Sequence, residues 1–179
     1  LALTFGLVMG EVIFGERGRG FLNPTVVALA FLLFSFPSIT NVPLGVSAAI
    51  AEALSGALML LFGLLSWRVV VGFCVALVGM TFFLAPSPNW TALHSAPLIL
   101  GLAFLIGDPV ASACTNVGRW LYGGFSGALL VVLGQAGDGA TSLNAVVFTA
   151  LLASIFAPLF DQIVMTVNIR RRAKRQDHG

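Results

Sequence analysis

Runs of apolar residues, interrupted at short intervals by glycine, proline, serine and asparagine, organise this chain from end to end. Seven such runs occupy residues 1–14, 24–37, 46–66, 69–85, 92–107, 118–134 and 141–167. The breaks between them read GERGRGFLN (15–23), PSITNVPLG (37–45), SWR (66–68), PSPNWT (86–91), GDPVASACTN (107–116) and GQAGDG (134–139). A helix that spans a bilayer needs about 20 apolar residues. The pattern therefore predicts an all-α, polytopic membrane protein with about seven transmembrane helices in a single integral domain, 1–179. Two runs, 24–37 and 92–107, are short for a crossing. Asn23-Pro24 and Asp108-Pro109 each set a capping side chain ahead of a proline, which favours a helix N-terminus or an extended break. Interrupted elements of this kind place backbone N–H groups at mid-membrane sites. Taken singly, each also reads as a tilted helix capped at the interface; together, on the same predicted face, they point to a shared site.

Composition sharpens this picture. Of 179 residues, 58% are hydrophobic and 9% charged, against about 45–50% and about 25% in soluble domains. That balance excludes a cytosolic enzyme, a nucleic-acid binder and a disordered chain. Two cysteines are too few for a disulfide scaffold or a self-contained metal site. Leu1 opens inside an apolar run with no initiator methionine, so a longer parent protein is expected. The net charge is only +2, but its placement is informative. Arg17 and Arg19 lie in the first connection, Arg68 in the third, Arg119 after the fifth, and Arg170, Arg171, Arg172, Lys174 and Arg175 after the last run. If every run crosses once, all nine basic residues share one face, which places the C-terminus in the cytoplasm. The tail RRRAKR then reads as a topology anchor beside anionic lipid rather than as a nucleic-acid site.

Two acids stand where apolar residues belong. Glu52 lies within AAIAEALSGALML, about two turns into its run, and Asp161 lies within FAPLFDQIVM, after Pro158. An ionised group at such depth faces a bundle interior and marks an ion or proton path; the plainer alternative is an interfacial acid with a salt-bridge partner. Glu11 is close enough in sequence to pair with Arg17 or Arg19. Cys74 reads as a small apolar residue, and Cys114, His94 and His178 form no cluster. Gly6 and Gly10, Gly56 and Gly63, Gly72 and Gly79, and Gly123 and Gly127 have the spacing that lets helices approach closely in lipid.

Four stretches carry a resemblance: GEVIFGERGRGFLNPTVVALAFLLFSFP, SWRVVVG, GDPVASACTNVGRWLYG and FAPLFDQIVMTVNIRRR. In combination and order they resemble the family of the B subunit of the Na+-translocating NADH:quinone reductase and the D subunit of the Rnf complex. The resemblance covers the last seven of that family's ten helices. It implies a five-plus-five inverted repeat related to urea-channel-like transporters, with 1–37 ending the first repeat, 46–167 forming the second and 168–179 a basic cytoplasmic tail. It further implies flavin electron transfer coupled to Na+ or proton movement in a bacterial inner membrane, alongside other membrane subunits of a redox complex. Polar contacts to a non-covalent riboflavin or FMN would come from Asn23 and Asp108, and cation handling from Glu52 and Asp161.

The chain departs from the family where covalent FMN attaches. The expected Ser-Gly-Ala-Thr is absent from SITNVPLGVS (38–47), and LSGALML (54–60) has Leu58 where threonine is required. DGATSLN (138–144) offers Thr141, but between the last two runs, where the family has no flavin site. Covalent FMN is therefore not expected. Gly20 replaces a family asparagine near the riboflavin. The leading expectation is a membrane subunit of an ion-translocating electron-transfer complex, not an enzyme alone. A flavin-less scaffold subunit and a small-solute or ion channel are the alternatives.

Overall fold

Each apolar run becomes a helix. The computed structural model describes residues 1–14, 22–36, 46–84, 96–136 and 142–176, and among these all regular structure is helical. The helices are α1 (Ala2–Ile13), α2 (Pro24–Ser35), α3 (Val46–Leu61), α4 (Trp67–Leu84), α5 (Ala96–Ile106), α6 (Asn116–Ala136) and α7 (Leu143–Gln176). Three of them, α4, α6 and Leu143–Arg170 of α7, are long and apolar enough to cross a membrane. The others are shorter: the 12 residues of α2 reach about 18 Å at 1.5 Å per residue, against a hydrocarbon core of about 30 Å.

Local chemistry sets the boundaries. Asn23 is extended (φ −76°, ψ 120°) and its side chain accepts the Thr25 N–H at 2.9 Å, while Pro24 takes the first helical position. That position has no intrahelical acceptor for an N–H, so the proline loses nothing. The far end of α3 is closed by Gly63, the one positive φ among the described residues (+71°). Gly63 N–H donates to Leu60 O at 3.1 Å and Leu64 N–H to Met59 O at 3.0 Å, the paired bonds of a Schellman cap. Gly63 is thus a stop signal, and not the packing residue that its spacing from Gly56 suggests. At the other extreme, α7 passes through Pro158 and continues beyond residue 167 to Gln176. Arg, Lys, Ala and Gln there are strong helix formers, and cations at a helix C-terminus are favoured by its dipole.

The two short helices α1 and α5 share a feature with no sequence signature. Each begins as α-helix and ends as π-helix, over Val8–Ile13 and Gly101–Ile106. Phe14 N–H closes on Met9 O at 3.1 Å and Gly107 N–H on Leu102 O at 2.9 Å. Each π segment leads into a Gly-acid break, Gly15-Glu16 or Gly107-Asp108.

Close backbone approach governs the packing. Helices α4 and α6 run parallel: a Cβ at Gly123 would collide with the Val69 carbonyl, one at Gly127 with the Phe73 carbonyl, and Gly72 faces Trp120 O at 3.1 Å. Gly6 and Gly10 do the same for α1 against Pro24 and Ala28 of α2, whereas Gly79 meets nothing within 4 Å. Helix α7 lies antiparallel to α6, with Phe125 edge-on to Phe156 and Phe160. Val26, Phe73, Ile106, Tyr122, Leu130 and Val146 form the centre of the core. Large apolar side chains on the outside, such as Leu54, Phe82 and Phe83, suit a lipid environment.

Candidate functional site

A parallel pair such as α4 and α6 obliges the intervening chain to return across the full thickness of the bundle. Helix α5, 5 α-helical residues followed by 6 π-helical ones, covers about half of that distance. The non-helical stretch 107–115 supplies the rest, so Gly107-Asp108 falls at an intermediate depth. There Asn23 Nδ2 donates to Asp108 Oδ2 at 2.8 Å, across 85 residues of sequence. The other carboxylate oxygen, Oδ1, accepts the Val110 N–H at 3.0 Å. The two Pro-flanked side chains singled out in the sequence are thus brought into direct contact.

Two further anchors hold the 107–115 connection. The Tyr122 hydroxyl, fully buried, donates to Ile106 O at 3.0 Å, capping a carbonyl left open where α5 ends. Asp161 accepts three bonds: Cys114 N–H to Oδ2 at 2.7 Å, Thr115 N–H to Oδ1 at 3.0 Å and Thr115 Oγ1–H to Oδ1 at 2.6 Å. Thr115 Oγ1 in turn accepts the Gly118 N–H at 3.1 Å. Side-chain space at Gly118 is filled by Thr115 and Asp161. Tyr122 and Thr115 carry structure at the site that no sequence motif marks. One signal exists: Tyr122 is the chain's single tyrosine, inside a span, and a buried phenol needs a polar partner.

Glu52 is not joined to these residues by any hydrogen bond. Its Oε2 is buried and has no hydrogen-bond partner among the described residues. Gly56, one turn on, meets Ala103 of α5 at 3.3 Å, so this face of α3 turns toward α5. Beside the Gly107-Asp108 break lies a pocket of about 230 Å³, lined by Met59, Leu64, Phe104 and Pro109, with Asp108 its charged member. Among the described residues no group of three or more His, Cys, Asp or Glu could hold a metal. Thr141, Gly20, Arg17, Arg19 and His94 lie outside the described residues. Arg68, Arg119 and Arg170, the basic side chains that are described, share one end of the bundle: Arg68 bonds Asn116 at the start of α6, and α7 carries Arg170 past the Asp161–Thr115 contact.

A model of the NQR2, RnfD, RnfE family matches residues 39–170, well over half of the chain. The chain belongs to that family. Among curated relatives, it is 26% identical to the B subunit of the Na(+)-translocating NADH-quinone reductase of Ectopseudomonas mendocina, over 98% of this chain and 56% of the relative. The corresponding protein of Yersinia pestis is 27% identical with the same coverage, and that of Haemophilus influenzae 25%. This NQR2, RnfD, RnfE family member therefore spans about half the length of the curated relatives it matches. The first of these alignments needs 229 positions to cover a 179-residue chain, so the relatives hold stretches within the matched region that have no counterpart here.

Proposed function

We propose that this chain is a membrane subunit of an Nqr- or Rnf-type complex that couples electron transfer to cation movement, and that its interrupted helices hold one edge of a non-covalent flavin. The observation that carries the reading is the Asn23–Asp108 hydrogen bond at the meeting of the two breaks. The residues fit such a ligand. Each Asp108 oxygen is engaged once, and a carboxylate oxygen has a second lone pair to offer. The carboxylate is suited to accept a ring imide N–H, and the second amide hydrogen of Asn23 to donate to a ring carbonyl. The neighbouring pocket is apolar and smaller than the roughly 300–1,000 Å³ of whole-ligand sites, which suits the end of a planar ring. A bound flavin would supply one- and two-electron transfer; the chain's own contribution is to orient the ring edge and exclude water.

Glu52 and Asp161 serve cation handling in this reading. An orphaned, buried carboxylate oxygen such as Glu52 Oε2 has an incentive to take up a proton or a cation. Asp161 anchors the connection at the basic end of the route. The recurrence of π-ended half-helix, Gly-acid break and following helix in α1–α2 and α5–α6 supports two repeats, with 1–37 closing the first and 46–167 forming the second. Clustering of the described arginines at one end supports a cytoplasmic C-terminus in a bacterial inner membrane, with other membrane subunits of the complex as partners. Absence of the Ser-Gly-Ala-Thr motif supports non-covalent rather than covalent attachment.

The purified protein is expected to show a flavin absorption spectrum whose chromophore is released by acid. Asp108→Ala is expected to weaken retention at least tenfold, the worth of one charge-assisted hydrogen bond. A chain that binds no flavin of either kind would leave the scaffold reading in its place, and chromophore that stays with denatured protein would refute non-covalent attachment. In vesicles holding the complex, Glu52→Gln is expected to slow cation-coupled turnover while assembly is kept. Unchanged transport and redox rates would remove Glu52 from the route.

A further inference from the structure

The end of the bundle where α4 and α6 begin carries a cluster that the redox reading does not use. Trp67, the first residue of α4, and Trp120, in the opening turns of α6, meet edge-to-face with centroids 5.7 Å apart. Both are substantially exposed. The Arg68 guanidinium lies 5.2 Å from the centre of the Trp67 ring and donates from Nη1 to Asn116 Oδ1 at 2.9 Å. Asn116 is neutral, and among the described residues Arg68 has no carboxylate within salt-bridge distance. Most of its five N–H donors therefore remain directed outward. Arg119, on the next turn of α6, differs: it donates to Ala113 O at 3.2 Å and lies in the field of Asp161.

We propose that Trp67, Arg68, Asn116 and Trp120 form a binding site for the phosphodiester of an anionic phospholipid in the surrounding bilayer. Three features select a lipid. Tryptophans at the ends of apolar helices settle at the headgroup level, amphipathic rings against the acyl boundary. A guanidinium already fixed in place by a ring and an amide loses little freedom on binding, and its fork matches phosphate oxygens. The two parallel helices also bring their positive dipole ends to the same spot. The apolar flank needed by an acyl chain is present beside the cluster, where Leu64, Val71 and Val117 face outward. An anionic headgroup satisfies the free donors of Arg68; a zwitterionic one brings a competing cation.

Quenching of tryptophan fluorescence by brominated lipid tests this directly. The chain has three tryptophans, so a Trp90→Phe background leaves Trp67 and Trp120 as reporters. Reconstituted into phosphatidylcholine vesicles, the protein is expected to be quenched several-fold more by brominated phosphatidylglycerol than by brominated phosphatidylcholine at equal mole fraction. Arg68→Gln is expected to reduce that preference about fivefold, the worth of one basic residue beside an anionic headgroup. Arg68→Lys is expected to retain most of it and guards against a folding defect. Equal quenching by the two lipids, or a preference untouched in Arg68→Gln, overturns the proposal.

Discussion

Replacing Asp161 with alanine is expected to free the 107–115 connection from α7 and to lower the stability of the folded chain by about 2–3 kcal/mol. Three donors lose their acceptor at once: the N–H groups of Cys114 and Thr115 and the Thr115 hydroxyl. Bonds to a charged acceptor are worth more than neutral ones, and partial exposure of Asp161 keeps the sum modest. Thermal unfolding in detergent reads the loss. Maleimide labelling of Cys114 in a Cys74→Ser background reads the loosening, because Cys114 is exposed but its backbone is tied to Asp161. Asp161→Asn separates two roles. A neutral amide turns a donor toward one of the N–H groups, so stability falls if anchoring dominates, whereas cation-coupled rate falls at constant stability if transport dominates. An alanine variant that melts with the wild type and labels no faster would show that the three bonds do not hold the connection.

A larger loss is expected from Gly127→Val. A Cβ at this position collides with the Phe73 carbonyl and comes within 3.1 Å of Ala76 Cβ and Leu77 N. Two of those contacts are backbone, so no rotamer change relieves them, and α4 and α6 must move apart along their length. Overpacking of this sort costs about 3 kcal/mol or more, and here it also strips the contact that aligns Arg68 with Asn116. Gly79→Ala and Gly124→Ala are the matched controls, since neither position has a neighbour within 4 Å. Alanine there is expected to be neutral or stabilising by up to about 1 kcal/mol through helix propensity. Size-exclusion profiles and melting curves in one detergent compare the three. A Gly127→Val protein that elutes and melts like the wild type would refute the close approach of these helices.

The number and order of helices are legible in the sequence because lipid-facing helices advertise themselves by continuous apolarity. Asn23 and Asp108 are legible for a different reason: a polar residue ahead of proline, inside an apolar chain, has few innocent explanations. Their direct contact is not legible, since it joins residues 85 apart through the fold alone. Asp161 illustrates a harder limit. Its depth in a hydrophobic run marks it as unusual, yet its partners are mostly backbone N–H groups, which nearly every residue possesses and no motif announces. The glycines divide in the same way. Spacing locates Gly123 and Gly127, but it does not distinguish Gly79, which packs on nothing, or Gly63, whose use is a backbone conformation. Charge after residue 167 marks only the end of the apolar stretch, and the helix itself runs on through it to Gln176.

The π-helical ends of α1 and α5 have a consequence for how this chain tolerates changes in length. A π turn closes on the fifth residue back and not the fourth, so each of these helices carries one residue more than an α-helix of the same reach. Removing a single residue within Gly101–Ile106 would let α5 revert to ordinary winding, at little cost to its own hydrogen bonds. Everything beyond would then be rotated by about 100° about the helix axis. Asp108 would swing away from Asn23, and Ile106 O would leave the Tyr122 hydroxyl. The surplus residue acts as a phase adjustment, setting the azimuth of the break independently of the depth at which it occurs.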